Sequence, residues 1–291
     1  MFGVVILVIW LAGCGGGSPP ASTETMPEPD SGPETSTAVA EDVVSLEEIA
    51  FGDHRSEENT VRNVSRHPVE TLEFFGLKPD MHVVEIWPAG GWYTEVIAPY
   101  VNDSGRYYAA HWDPESTVEF IQRGAIAYQE KLAERPDVYG NVKMTVLMPP
   151  DQTEIAPPES VDMVVTFRNI HNWMPRGSAD TIFTAIYEAL KPGGILGVVE
   201  HRGNPDIEQD PKAASGYVNQ AYAIALAEKA GFVLDDTSEI NANPNDTKDY
   251  EQGVWTLPPT LREGDVDKDK YLAIGESDRF TLKFRKPSTA G

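Results

Sequence analysis

The 291 residues contain a single cysteine, Cys14. One thiol cannot close an internal disulfide, so a disulfide scaffold and a cysteine-ligated zinc centre are both excluded. Bases are scarce: 23 Lys and Arg stand against 46 Asp and Glu, a formal charge of −23. Nucleic-acid binding needs a basic face, so that class is excluded too. The acidic balance favours solubility and a neutral, cationic or metal-bearing ligand, and a saline habitat produces the same bias. The apolar run from Phe2 to Ala12 falls short of the roughly 20 residues that span a bilayer. No internal repeat occurs. Apolar residues make up 41% of the chain, enough for a packed core.

The run Phe2–Ala12 suits the core of a signal peptide, although no Lys or Arg precedes it. It leads into "LAGC", Leu11 to Cys14, which resembles the lipobox of bacterial lipoproteins. That resemblance implies lipidation of Cys14, a membrane anchor and export to face the periplasm, with residues 1–14 as the signal segment. From Gly15 to Val44 the chain is rich in Gly, Ser, Pro, Thr and Glu, with no aromatic residue, no Leu, no Ile and no base. Such a segment cannot bury enough apolar surface to fold, so residues 15–44 are expected to be a disordered tether and 45–291 the folded domain.

From there, strand and helix patterns alternate. "HPVETLEFFGL" places Pro68 in a first turn ahead of an apolar stripe, a helix. Strands are expected at 81–86, 105–111, 142–147, 161–167, 195–200, 232–236 and 279–285. Helices are expected at 92–101, 113–134, 179–190 (ended by "KPGG") and 216–231. The run 161–167 is apolar on both faces, as a buried parallel strand should be. This alternation predicts a doubly wound, mostly parallel α/β sheet of seven strands. Residues 241–279 break the rhythm, and a loop that long is either functional, often a lid, or disordered.

Three stretches carry a family resemblance: "VVEIWPAGGW" at 83–92, "VDMVVTFRNIHNW" at 161–173 and "EALKPGGILGVVEH" at 188–201. Over roughly residues 60–286 the chain resembles class I S-adenosylmethionine-dependent methyltransferases, the small-molecule branch in particular. The wording around "RHPVETLEFF", "GGWYTE" and "ESDRFTLKF" is similar to a group of exported, predicted methyltransferases. The resemblance implies a Rossmann-like fold whose last strand is antiparallel, S-adenosylmethionine as cofactor, and a small-molecule substrate. The rival reading is a non-catalytic ligand-binding lipoprotein on the same fold.

Carried over by position, Glu85 closes the first strand and supports the cofactor loop. The family's three glycines fall on Trp87, Ala89 and Gly91, with Gly90 beside the last. The loop therefore reads as a modified cofactor loop or as a plain strand-to-helix turn. At the end of the second strand the family places an acid against the ribose. Here that residue is His111, and Asp113 is either its substitute or a helix N-cap. After the fourth strand, His171 is the candidate base. Arg168 and Asn169 are candidates to orient an anionic or carbonyl group. Trp173 is a candidate to stack on a ring or face a sulfonium, or else it is core. Glu200 and His201 end the fifth strand on the same edge and complete the substrate candidates. His111 and His201 lie three strands apart in the family's order, about 14 Å. One ion therefore cannot take all three histidines; His171 and His201 could share one with Glu200 or Asn169 helping, but solvated strand-end histidines are the simpler reading, and no metal is assigned.

Overall fold

The computed structural model describes residues 44–288. The signal segment, Cys14 and all of the tether up to residue 43 lie outside the described residues, as do 289–291. No described helix is long and apolar enough to cross a membrane.

The chain opens on a helix, Leu46–Ala50, started by a capping box in which Ser45 and Glu48 satisfy each other's backbone. Pro68 sits at the first turn of the helix Pro68–Phe75, and Gly76 ends it in the left-handed conformation. Seven strands follow: β1 (His82–Ile86), β2 (Arg106–His111), β3 (Lys143–Val146), β4 (Val161–Phe167), β5 (Leu190–His201), β6 (Val233–Ser238) and β7 (Arg279–Arg285). They form one sheet in the order β3-β2-β1-β4-β5-β7-β6. The β1, β2, β3, β4 and β5 pairings are parallel, and β7 runs antiparallel between β5 and β6. The expected doubly wound sheet with its reversed last strand is the one observed.

Alternation along the strands divides the apolar residues between two cores, one on each face. Val84, Ile86, Val164 and Leu196 belong to one, and Val83, Met163, Val165 and Ile195 to the other. This is the period of two that a strand imposes.

Three local expectations change. The helix expected from Asp113 starts at Glu119, with Val118 at the cap position. Asp113 is not an N-cap: its Oδ1 accepts the Glu115 backbone N–H at 2.8 Å and closes a turn around Pro114. The "KPGG" stretch lies inside β5, because the preceding helix stops at Ala189 and the register against β4 shifts between Val161 and Met163. Residues 241–279 are ordered, so of the two expectations the disordered one falls. They hold a short 3₁₀ turn (Gly253–Thr256) and a helix (Lys268–Ile274). The segment is pinned by Asn241, whose Nδ2 donates to Thr71 and Thr281 Oγ1, each at 2.9 Å.

Candidate functional site

The carboxyl ends of β1, β2, β4 and β5 meet the loop Trp87–Trp92, which turns the chain from β1 into the helix Thr94–Tyr100. In open α/β sheets this crevice is where ligands bind. The loop keeps a glycine backbone without most of its glycines. Trp87 has φ +45°, Ala89 +51° and Gly91 +78°, so all three family glycine positions are left-handed. For a residue with a Cβ that conformation costs about 1–2 kcal/mol, and the loop is held against the cost. The Trp87 N–H donates to Ala110 O at 2.8 Å and its indole Nε1–H to Leu147 O at 3.0 Å. The ring is buried edge-on against Trp112 and Trp173, at 6.1 and 6.3 Å between centroids. Gly91 is needed for more than its φ: a Cβ there would meet Tyr128 at 3.0 Å and Thr94 Oγ1 at 3.3 Å. That side of Gly91 faces protein rather than ligand. The outer loop residues Ala89 and Gly90 are exposed, and their N–H groups have no acceptor among the described residues.

Glu85 lies beneath the loop and is 3% exposed. It accepts from the Tyr107 hydroxyl and from Thr94 Oγ1 at 3.2 Å. Burial pushes its carboxyl up to about 7, against those two hydrogen bonds and the more distant Arg168 and Lys131 charges.

A cleft with about 820 Å³ of open space runs along this edge. Its walls include Glu85, Trp87, Tyr93, Phe167, Arg168 and Asn169. A second hollow of about 370 Å³, floored by Ile121, Met148 and Pro149, shares Trp87, Trp112 and Arg176 with it. Tyr93 stacks flat on Phe167, 3.5 Å between centroids. Asn169 bolts the wall together: its Nδ2 donates to Ile86 O at 2.8 Å and to Thr166 Oγ1 at 3.2 Å. Arg168 stands at φ +60°, and its guanidinium has no hydrogen-bond or ion-pair partner among the described residues.

The sequence candidates divide. Glu85, Trp87, Ala89, Gly91, Arg168 and Asn169 converge on the loop and the cleft. His111 does not serve a ribose: its Nδ1 accepts the Trp112 N–H at 2.7 Å, so its Nε2–H donates to Ala89 O at 3.0 Å. Both nitrogens are spent on backbone groups, one of them in the loop, and burial holds the ring below its usual pKa. Asp113 keeps one oxygen free. Trp173 is corrected to core: it is fully buried and packs edge-on against Phe183 at 5.7 Å. His171 is not among the residues that line this cleft; its Nδ1 is 3.0 Å from Glu200 Oε1 and its ring stands beside His201 and Trp255.

His171, Glu200 and His201 bring their ligand atoms within 4.8 Å of one another, close enough to raise the question of a metal. Glu200 is already used by the His171 ring and by the His201 backbone N–H at 2.8 Å. His201 is held well below its usual pKa, first by burial, then by His171 and the guanidiniums of Arg279, Arg168 and Arg66. The guanidiniums of Arg279, Arg168 and Arg66 make a positive field here, which opposes a divalent cation.

The sequence reading missed the source of that field. Glu276 receives Arg62 at 2.8 Å, Arg66 at 3.2 Å and Arg279 at 2.6 Å. These residues are more than 200 positions apart in part, so no local pattern announces them. Despite its burial, Glu276 is held down to about 2 by Arg279, Arg66, Arg168 and Arg62.

No protein-family model and no curated protein matches the sequence. The fold does match solved structures. A SAM-dependent methyltransferase from Aquifex aeolicus aligns over 77% of this chain and 92% of its own at 16% identity, TM-score 0.51. The [4+2]-cyclase SpnF aligns over 82% and 86% at 16% identity, TM-score 0.52. Phosphoethanolamine N-methyltransferase 2 of Haemonchus contortus, in complex with S-adenosyl-L-methionine, aligns over 85% and 61% at 18% identity, TM-score 0.51. The chain has the Rossmann-like fold of the class I methyltransferases.

Proposed function

We propose that the protein is an S-adenosylmethionine-dependent methyltransferase acting on a small molecule. One observation carries the reading: all three glycine positions of the cofactor loop keep left-handed backbone, above a buried Glu85, although two of them are Trp and Ala. A plain turn has no reason to bear that strain; a loop that must present free N–H groups has one. The residues fit the group. The hollow of Trp87, Trp112 and Met148 suits a flat base. The Ala89 and Gly90 N–H groups and the Asn169 Oδ1 suit the amino-acid end. When bound, the cofactor supplies an electrophilic methyl; the chain's part is to hold donor and acceptor in line and exclude water. No imidazole lines the cleft, so positioning rather than proton removal is the main contribution.

His111 favours a second reading. With both its nitrogens occupied and no carboxylate in its place, β2 lacks the acid that would grip a ribose. A non-catalytic ligand-binding protein on this fold has the same feature, and one neighbour, the [4+2]-cyclase, bears a name other than methyltransferase. Calorimetry of the full chain with S-adenosylmethionine separates the two. Saturable one-to-one binding is expected. Absence of heat at millimolar donor would leave the ligand-binding reading in place.

We also propose that Cys14 is lipidated, holding an exported domain at a membrane through residues 15–44. The apolar run and "LAGC" support this. Cys14→Ser is expected to move the protein from the membrane to the soluble fraction. Retention of that variant on membranes in high salt would refute the anchor.

A further inference from the structure

The overall charge of −23 favours a neutral, cationic or metal-bearing ligand, yet the rim of the cleft is locally positive. Three guanidiniums, Arg62, Arg66 and Arg279, pair with one carboxylate, Glu276, and a fourth, Arg168, acts on it by charge without contact. Arg66 and Arg279 are buried, 5% and 1% exposed, and Trp92 covers Arg66 with its ring centroid at 4.7 Å. Arg62, Arg66 and Arg279 all spend their charge on Glu276. The next acid in the chain, Asp278, is taken by Lys248 at 2.9 Å and Arg202 at 3.5 Å. Arg168 is therefore left without a counter-ion, and it is the member of the group that lines the cleft. The carboxyl facing it from β1 is Glu85, engaged by Tyr107 and Thr94. The exposed Arg176 adds a further positive charge on the same wall.

We propose that the small molecule this cleft accepts is an anion, bound through a carboxylate or phosphate oxyanion by Arg168, with Arg62, Arg66 and Arg279 supplying the surrounding positive field. Arg168 offers a planar fork of N–H donors that fits an oxyanion with two parallel bonds. Glu276 neutralises the buried part of the cluster and leaves the surplus on the open side. The alternative occupant of this edge, a metal at His171, Glu200 and His201, would enter that same positive field. The inference rests on reading the cleft as a site for donor and acceptor together. The donor's own carboxylate has the same chemistry, so the test must tell the two apart.

The probes are inorganic phosphate, S-adenosylmethionine and decarboxylated S-adenosylmethionine, titrated into the full chain at low salt. Wild type is expected to bind phosphate, and Arg168→Gln to weaken it about ten- to hundredfold, the worth of a charge-assisted pair. Arg168→Lys keeps the charge and loses the fork, so a several-fold loss is expected there. Glu276→Gln removes the internal counter-ion. Phosphate should then raise its melting temperature more than it raises that of wild type. Both donors should bind Arg168→Gln within about twofold of wild type. Equal phosphate binding by wild type and Arg168→Gln would overturn the proposal. So would a selective tenfold loss of S-adenosylmethionine with its decarboxylated form unaffected, which assigns Arg168 to the donor. Phosphate binding that depends on Arg168, in a protein that binds neither donor, would uphold the anion site and remove the methyltransferase reading instead.

Discussion

Glu95→Ala is expected to destabilise the protein by about 3–5 kcal/mol, the cost of removing one partner from a buried ion pair. Glu95 is 4% exposed and Arg55 6%. One carboxylate oxygen accepts Arg55 Nε at 3.1 Å; the other accepts Asn59 Nδ2 at 2.8 Å and Lys131 Nζ at 2.5 Å. The Glu95 carbonyl also accepts His54 Nε2 at 2.7 Å. Without the carboxylate the Arg55 guanidinium stays enclosed, with Ala50 O and Asn63 Oδ1 as its remaining acceptors. For a domain of this size the loss corresponds to roughly 10 °C in melting temperature. Urea denaturation measures it directly. The double change Arg55→Met, Glu95→Leu should recover most of the loss, because an apolar pair does not strand a charge. A single-variant cost under about 1 kcal/mol would mean that this cluster does not fasten the first helices to the sheet. The consequence reaches the site, since the fastened segment delivers Arg62 and Arg66 to Glu276. Glu95→Ala should therefore also weaken phosphate binding at the cleft.

The parallel strands and their order were legible in the sequence because continuous apolar runs separated by amphipathic helices leave few topologies. The loop was legible by position and not by conformation. Trp87 and Ala89 read as lost glycines, yet their backbone is that of glycines, and only the pairing of Trp87 with Ala110 and Leu147 reveals it. Position along the chain says which edge a residue reaches, not what its side chain meets there. His111 meets backbone groups of Ala89 and Trp112, His171 meets Glu200, and Trp173 is enclosed by the core. The arginine cluster was illegible because it is assembled from the first helices, the β4 turn and the segment before β7. That last segment is polar and proline-marked, and its composition conceals Glu276, the carboxylate that Arg62, Arg66 and Arg279 share. Net charge misled as well: a total of −23 describes the surface as a whole and not one rim of it.

Glu85→Gln is expected to make the protein more stable above neutral pH and to flatten part of its pH dependence. Glu85 has its carboxyl raised from 4.5 to about 7 in the folded state. The unfolded chain releases that proton near 4.5, the folded chain only near 7. Stability from the neutral, buried form is therefore complete below about pH 4.5 and is lost as pH rises through about 7. The loss is of the order of 3 kcal/mol, from about 1.4 kcal/mol per pKa unit. Other groups act in neighbouring windows. Glu276, held down to about 2, contributes stability that is lost only as pH falls below its unfolded value toward 2. His111 and His201, both lowered, oppose Glu85, since they cost stability as pH falls through the range where an unfolded imidazole gains a proton. The raw curve of wild type therefore mixes opposite slopes, and the difference between wild type and Glu85→Gln isolates the carboxyl. That difference should be small at about pH 5, grow toward neutrality and level off above about pH 7.5, with the variant the more stable. Both hydroxyls donate to the same Glu85 oxygen, Oε2, and the Gln carbonyl oxygen placed there accepts from both, so both hydrogen bonds persist. Urea unfolding at a series of pH values gives the curve. A difference independent of pH would mean that Glu85 is ionised throughout. It would then be a fixed negative charge under the loop, not a neutral prop that becomes charged near neutrality.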